Sequence, residues 1–550
     1  MAAEVVDVVV VGTGWNGLIS AKTYLDLKED ANIILIDEQA CIGGVWSEEK
    51  IYPSLFAQIK YGLFEYSFYP MRREGITGDG YISGATINTY LNEFARDYDL
   101  IRRTRLNTKV IKLERLPDDG TGATWKLILD GDKRPIECEK LIYASGATSH
   151  PVMPTWPNQS GFETPIIHSA ETGLHLESLN KIQRATVLGG AKSAYDTVFL
   201  LLSKGIQVDW IIRDDGTGPL AIMPPTILGL VNSMDVISTK AMAMFGSSIM
   251  QTKGVAYQFL QKTRLGRAIA RVFWSTVTKI ADAHAGYAKS PNAKKLRPLP
   301  HGNGIFWANA GLGCASVPDF WKVFHEGHCS VHRTGIESFN GSNTLVLENG
   351  TCLETDFVIL CTGFDKSYQP FGPELQIELG LKPDPDSQDQ AKWSELDARA
   401  EVTVNDLLPA LKHSPVPPSP HEPRSKSGMG SETRPHHGPS RHFRRLIVPR
   451  LAAEKDRSIY FPGFIHSIYT PLVSEVQALW GCAFLLDLVD LPSQEEMEKE
   501  VAEWNVWTRK RYLAQGRKHA YAIYDFLHVS HNIWILVIFI LHANQHIDKT

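Results

Sequence analysis

Residues Val5 to Val11 form a near-continuous β-branched run, the pattern of a parallel strand buried on both faces. A glycine-rich turn and a helical stretch follow, and Ile33 to Ile36 supplies a second strand, so the chain opens with a βαβ unit. The same order returns downstream: a strand at Ala185 to Leu188, a turn at Gly189-Gly190-Ala191, a helix through Leu202 and a strand at Val208 to Ile212. The leading glycines of the two units, Gly12 and Gly189, stand 177 positions apart, which predicts an α/β fold with two Rossmann-like, three-layer domains. Between Thr226 and Tyr287 the pattern becomes helical, and from Leu265 to Trp274 apolar and basic residues segregate at helical spacing. This stretch reads as a helical insertion over a pocket, or else as a core helix that displays its arginines.

His413 to Ser440 holds seven prolines in 28 residues with almost nothing apolar, so it reads as a flexible surface loop. Ser493 and Glu496 then have capping-box spacing, which predicts a helix through about Leu513.

Composition narrows the classes. The 550 residues exceed one hydrophobic core, and 43% hydrophobic with 21% charged residues is ordinary globular usage. A formal net charge of −5 excludes a nucleic-acid surface as the main business of the chain. The seven cysteines, at 41, 138, 314, 329, 352, 361 and 482, form no CxxC pair, so neither a zinc site nor a disulfide framework is expected. Free thiols suit a reducing, cytoplasmic setting. His436, His437 and His442 read as loop histidines and not as a metal cluster. The N-terminus runs into a strand without an export signal. Ile533 to Leu541 is an apolar run of nine residues, short of the ~20 that span a bilayer, and reads as a hydrophobic end packed on the protein, with membrane contact as the alternative.

The chemistry begins at Gly12-Thr13-Gly14-Trp15-Asn16-Gly17, a GxGxxG turn between a strand and a helix. Gly12 permits the tight turn, Gly14 lets the backbone approach a pyrophosphate, and Gly17 allows close helix packing. The helix N-terminus offers free N–H groups to the phosphates. Asp37, at the end of the second strand, is placed to accept ribose hydroxyls and would repel a 2′-phosphate, so this site takes FAD or NAD. The second turn, Gly189-Gly190-Ala191-Lys192-Ser193-Ala194, replaces two glycines by alanine, and the following strand ends at Arg213 instead of an acid. A guanidinium grips a 2′-phosphate through a bidentate pair, and Lys192 adds a second charge, so this site takes NADPH. Opposite charge preferences in one chain imply electron transfer from NADPH to a bound flavin.

At Ile42-Gly43-Gly44-Val45-Trp46 the chain resembles the flavin-containing monooxygenases, and Tyr52 to Leu55, Tyr66 to Met71, Ala144-Ser145-Gly146, His168-Ser169, Cys361-Thr362-Gly363-Phe364 and Glu475 to Trp480 continue the resemblance in the family's order. The version is closest to those of fungal natural-product pathways and reaches to about residue 515. The resemblance implies FAD contacts at Gly44, Trp46, Gly146, Thr362 and Gly363, beside those already derived at Gly12, Gly14, Gly17 and Asp37; NADPH is expected on Gly189, Ala191, Lys192, Ser193 and Arg213. It implies that O₂ adds to the reduced flavin C4a and that the hydroperoxide passes one oxygen atom to a small organic substrate, in a site that excludes water. Gln58 stands where the family commonly places an asparagine beside the flavin, and His168 belongs to a family fingerprint; both are candidate catalytic residues. Thr172 replaces the aromatic that closes that fingerprint, tryptophan in Baeyer-Villiger members, so simple oxygenation ranks above ester-forming insertion. The expected domains are 1–172 for FAD, 173–335 for NADPH with the insertion at 226–287, and 336–550 completing the FAD domain. A reductase that passes electrons elsewhere, and a binding protein without catalysis, are the competing readings.

Overall fold

The computed structural model describes residues 2–524 apart from 118, 119, 121, 132, 215, 228–230, 238, 315–318, 367, 416–438, 519 and 522. Most of the proline-rich stretch, with His436 and His437, and the whole Ile533–Leu541 run therefore lie outside the described residues.

The β-branched opening forms strand β1 (Glu4–Val11), in which Val8, Val9 and Val10 are fully buried, as a strand covered on both faces requires. Helix α1 (Trp15–Leu27) leads to β2 (Ile33–Ile36), which pairs in parallel with β1 from Val8↔Ile33 to Val11↔Ile36. With β3 (Thr104–Arg105), β4 (Val110–Arg115), β5 (Trp125–Leu129) and β6 (Ile136–Tyr143) the sheet runs β3-β2-β1-β6-β5-β4. Its first four strands are parallel and β6-β5-β4 form an antiparallel meander.

A second sheet gathers β7 (Ile166–His168), β8 (Arg184–Leu188), β9 (Gln207–Ile211), β10 (Cys329–His332) and β11 (Val358–Leu360) in the order β7-β11-β8-β9-β10, all parallel, with helix α2 (Lys192–Ser203) following β8. β7 and β11 lie outside the 173–335 span expected from motif spacing. The chain returns to the first sheet at β12 (Ile459–Tyr460), which pairs with Leu141 and Ile142 at the end of β6.

The helical insertion is present, dominated by the 22-residue α3 (Arg264–Ala285). Its buried side packs toward α6 (Gln494–Arg511), which begins after α4 (Ser387–Leu407) and α5 (Thr470–Leu485) and carries the expected Ser493–Glu496 capping box. The fully buried Arg511 guanidinium faces the rings of Phe306, Tyr512, Tyr524 and Trp274 at 4.0, 4.9, 4.9 and 5.8 Å and donates to the Gly246 carbonyl. Desolvated cation–π contacts of this kind contribute about 2 kcal/mol.

His442 gives the fold a pH dependence. Its ring stacks on Phe461, its Nε2 lies 2.7 Å from the Leu379 carbonyl, and burial, reinforced by the cations Lys366 and Arg445, pushes its pKa down to about 4. The unfolded chain binds this proton near pH 6.5 and the folded chain does not, so stability falls as pH drops below about 6.5. Down to about pH 4 the loss reaches about 1.4 kcal/mol per pH unit. Urea unfolding of wild type against His442→Gln between pH 7.5 and 5 should show the steeper decline in wild type; equal slopes would contradict the assignment.

Candidate functional site

Two cavities open at the carboxyl ends of the two parallel sheets, and they meet. The first, about 420 Å³, is lined by Gly12, Gly14, Asp37, Gly44, Trp46 and Gly146, so the structure brings these expected residues together. The second, about 400 Å³, is lined by Gly189, Ala191, Lys192, Ser193, Arg213 and Gln58. Ala147, Thr148 and Ser467 line both.

Each cavity is built around the same contact. Gly12 has φ 108°, and a Cβ there would lie 2.4 Å from the Ala144 carbonyl oxygen. Gly189 has φ 137°, and its Cβ would lie 2.3 Å from the Cys361 carbonyl oxygen. The short motifs Ala144-Ser145-Gly146 and Cys361-Thr362-Gly363 are thus equivalent: each follows the strand beside a glycine turn and presses a carbonyl against it. This moves Thr362 and Gly363. Expected at the FAD site, they line the second cavity, because β11 belongs to the second sheet. Ala191 takes the place of a glycine without strain, since its φ of −102° is open to any residue.

Both helices that leave these turns begin without a side-chain cap, at Gly14 and at Ala191. Their first-turn N–H groups and positive dipole ends are available to anions in the cavities. Asp37 is buried and does more than face the cavity: its Oδ2 accepts from the Thr13 N–H at 2.8 Å and the Thr13 hydroxyl at 2.7 Å, and its Oδ1 from the Gln39 N–H. The carboxylate therefore clamps the glycine turn from the end of β2. Gly17 lines neither cavity; its missing Cβ, which would fall 1.9 Å from the Gly12 carbonyl oxygen, seats α1 on the turn.

Three polar atoms at the first cavity were not legible in the sequence. Trp15 Nε1, Ser145 Oγ and Gln477 Nε2 are buried without a hydrogen-bond partner, and all three residues line the cavity. The Gln477 amide is oriented by its Oε1, which accepts from the Gly463 N–H at 3.0 Å, leaving its NH₂ as the unpaired donor. Buried donors without partners cost about 1–3 kcal/mol each, so a cavity holding three of them fits a ligand rich in acceptors, as FAD is.

In the second cavity Lys192 is paired with Asp196 one turn along its own helix at 2.6 Å, and burial raises the Asp196 pKa against that pairing. Arg213, just past the end of β9, lines the same cavity. Gln58, on a strand Phe56–Lys60, reaches the cavity with its Oε1 over Gly313, where a Cβ would lie 2.9 Å away. His168 stands apart: it lines neither cavity. Its Nδ1 accepts from the Ala170 N–H and its Nε2 lies 3.1 Å from the Gly363 carbonyl, so the ring is a neutral clasp between β7 and the Cys361–Gly363 turn, and burial lowers its pKa. Burial raises Cys361, beside the Gly189 turn, to about 12, so this thiol supplies no thiolate for disulfide chemistry. Among the described residues no His, Cys, Asp and Glu cluster suits a metal ion.

Comparison with known proteins agrees with this arrangement. Residues 6–211 match the model of the flavin-binding monooxygenase-like family. The chain is 50% identical to the FAD-dependent monooxygenase DEP4 of Alternaria brassicicola over 526 residues, covering 95% of this chain and 88% of that one. It is 36% identical to the FAD-dependent monooxygenase rstn6 of Aspergillus nomiae, over 95% and 91% of the two chains. Among solved structures, cyclohexanone monooxygenase from Rhodococcus sp. Phi1 bound to NADP⁺ superposes with a TM-score of 0.61 over 98% of each chain at 15% identity, a likeness of fold. With its two dinucleotide folds joined at a common wall, this chain belongs to the FAD-dependent monooxygenases of the flavin-binding monooxygenase-like family.

Proposed function

We propose that the Gly12 cavity holds FAD, that the Gly189 cavity holds NADPH, and that the substrate is a small, largely apolar organic molecule oxygenated where the two cavities join. One observation carries the reading: Ala147, Thr148 and Ser467 are shared by both cavities, which brings the two cofactor ends within reach of each other. FAD held there would supply the redox chemistry, with two electrons drawn from NADPH, one atom of O₂ passed to the substrate and the other leaving as water.

The rest is the work of the chain's own backbone and side chains. The uncapped starts of α1 and α2 bind the two pyrophosphates, and the clamped Asp37 disfavours a 2′-phosphate in the first cavity. Trp15, Ser145 and Gln477 donate to FAD, and Arg213 takes the 2′-phosphate of NADPH. Leu220, Leu312, Ile468 and Ile523 give the second cavity its apolar wall and keep water from the reacting centre. Gln58 offers an amide at that wall, and we assign it the orienting of the oxygen-transferring end. Simple oxygenation is favoured over ester-forming insertion, because Thr172 is fully buried with its hydroxyl donating to the Ser169 carbonyl and presents no aromatic face.

The test compares wild type with Gln58→Leu. Loss of one donor of this kind costs roughly 100-fold in the step it serves. NADPH oxidation should continue in the variant while its electrons appear almost entirely as H₂O₂. Unchanged product yield per NADPH, on any substrate that wild type oxygenates, would contradict the role. If wild type itself returned all its electrons as H₂O₂ with every substrate tried, the reductase reading would stand instead.

A further inference from the structure

None of the described residues of the insertion lines either cavity, so its expected place over a pocket is not what the structure shows. Its outer face is unusual in a different way. On α3, Leu265 and Val272 are 64% and 67% exposed and Ile269 41%, at the i, i+4, i+7 spacing that puts them in one stripe. Just before it Val255 is 87% and Phe259 40% exposed. The opposite side of α3, with Trp274, Val277 and Ala281, is the buried one, so the stripe is not an extension of the core.

Charge accompanies the stripe. From Asp235 to Asp282 the intervening sequence contains seven Lys and Arg and no Asp or Glu, in a chain whose formal net charge is −5. Arg264, Arg271 and Lys279 lie along one edge of the stripe and are exposed. Among the described residues none of the three makes an ion pair, whereas cations elsewhere, such as Lys22, Arg102 and Arg399, find acids within their own helices or turns. An amphipathic helix with an aliphatic stripe and a one-signed basic edge is suited to lie in the plane of a bilayer interface.

We propose that the α3 face docks this enzyme onto anionic lipid bilayers, the stripe entering the headgroup boundary while Arg264, Arg271 and Lys279 meet lipid phosphates. The occupant is lipid and not a second copy of the chain, because a two-fold contact through this face would set its cations against themselves. Nucleic acid is a poorer match, since the middle of the face is aliphatic. Among the described residues no helix is long and apolar enough to cross a membrane, so the contact is peripheral. The inference is independent of what the two cavities hold.

The experiment is vesicle co-sedimentation of the full-length, flavin-loaded protein with phosphatidylserine-rich and with pure phosphatidylcholine vesicles. Wild type should partition onto the anionic vesicles and release in high salt. Each cation near such a surface is worth about five-fold in partitioning, so Arg264→Gln/Arg271→Gln should weaken binding about 25-fold. Leu265→Ser/Val272→Ser should also abolish it. Flavin absorbance and NADPH oxidation in solution should match wild type in both variants, which excludes misfolding as the cause. Absence of wild-type binding to anionic vesicles would overturn the proposal, as would undiminished binding by both variants. So would a wild-type dimer that either variant turns into a monomer without any lipid binding, which would make the face an interface between copies.

Discussion

Gly12→Val protein should emerge from purification colourless, its flavin content down at least ten-fold, while Gly189→Val should stay yellow yet fail to be bleached by NADPH. The two turns are geometric twins. In each, an added Cβ meets a backbone carbonyl at under 2.5 Å, and the φ angle lies where side chains are strained. Strain and overpacking together cost roughly 2–6 kcal/mol, a large share of the 5–15 kcal/mol that holds a typical domain folded. The opposing carbonyls of Ala144 and Cys361 belong to turns that follow central strands and cannot retreat without breaking the pairing of β6 and β11. The difference in phenotype assigns the cavities. Flavin absorbance per protein and anaerobic bleaching read the two losses separately, and circular dichroism confirms that the variants are folded. A yellow Gly12→Val protein would assign the cavities wrongly.

Arg213→Glu is the second large effect. Arg213 lines the second cavity just past the end of β9, where a guanidinium can take the 2′-phosphate of the phosphorylated coenzyme. Charge-assisted hydrogen bonds contribute roughly 1.5–3 kcal/mol, so their loss raises the KM for NADPH by about 10- to 100-fold, and the repulsion of the new carboxylate raises it further. NADH, which lacks the phosphate, should be affected little, so the NADPH/NADH preference narrows or inverts. Steady-state oxidation of both coenzymes measures this. A preference left at the wild-type ratio would place the 2′-phosphate elsewhere.

Much of the site was legible because it is local. β1, its glycine turn and Asp37 lie within about forty residues, and the period of the apolar residues, the Cβ-free positions and the strand-end charge each report a contact made nearby. The second unit was legible for the same reason, even with Ala191 and Ala194 in place of glycine. What could not be read depends on topology. β11 slips between β7 and β8, so Thr362 and Gly363, late in the sequence, serve the second cavity and not the first. Gln477 reaches the first cavity from α5, over 400 residues after the turn it joins, and only the fold shows its unpaired amide. His168 misled because a motif reports neither burial nor which ring nitrogen is occupied. The 226–287 insertion was recognisable as helical from its period, but which face meets the protein is set by Trp507, Arg511 and Tyr524, all distant in sequence.

In the proposed route electrons pass from a phosphorylated nicotinamide in the Gly189 cavity to a flavin in the Gly12 cavity, across the wall that Ala147, Thr148 and Ser467 share. Rapid anaerobic mixing of the purified wild-type protein with NADPH or NADH follows this transfer through the flavin absorbance. NADPH should bleach the bound flavin fast, and NADH at least ten-fold more slowly at equal concentration. A flavin that stays oxidised with NADPH, or that both coenzymes reduce at the same rate, would contradict it.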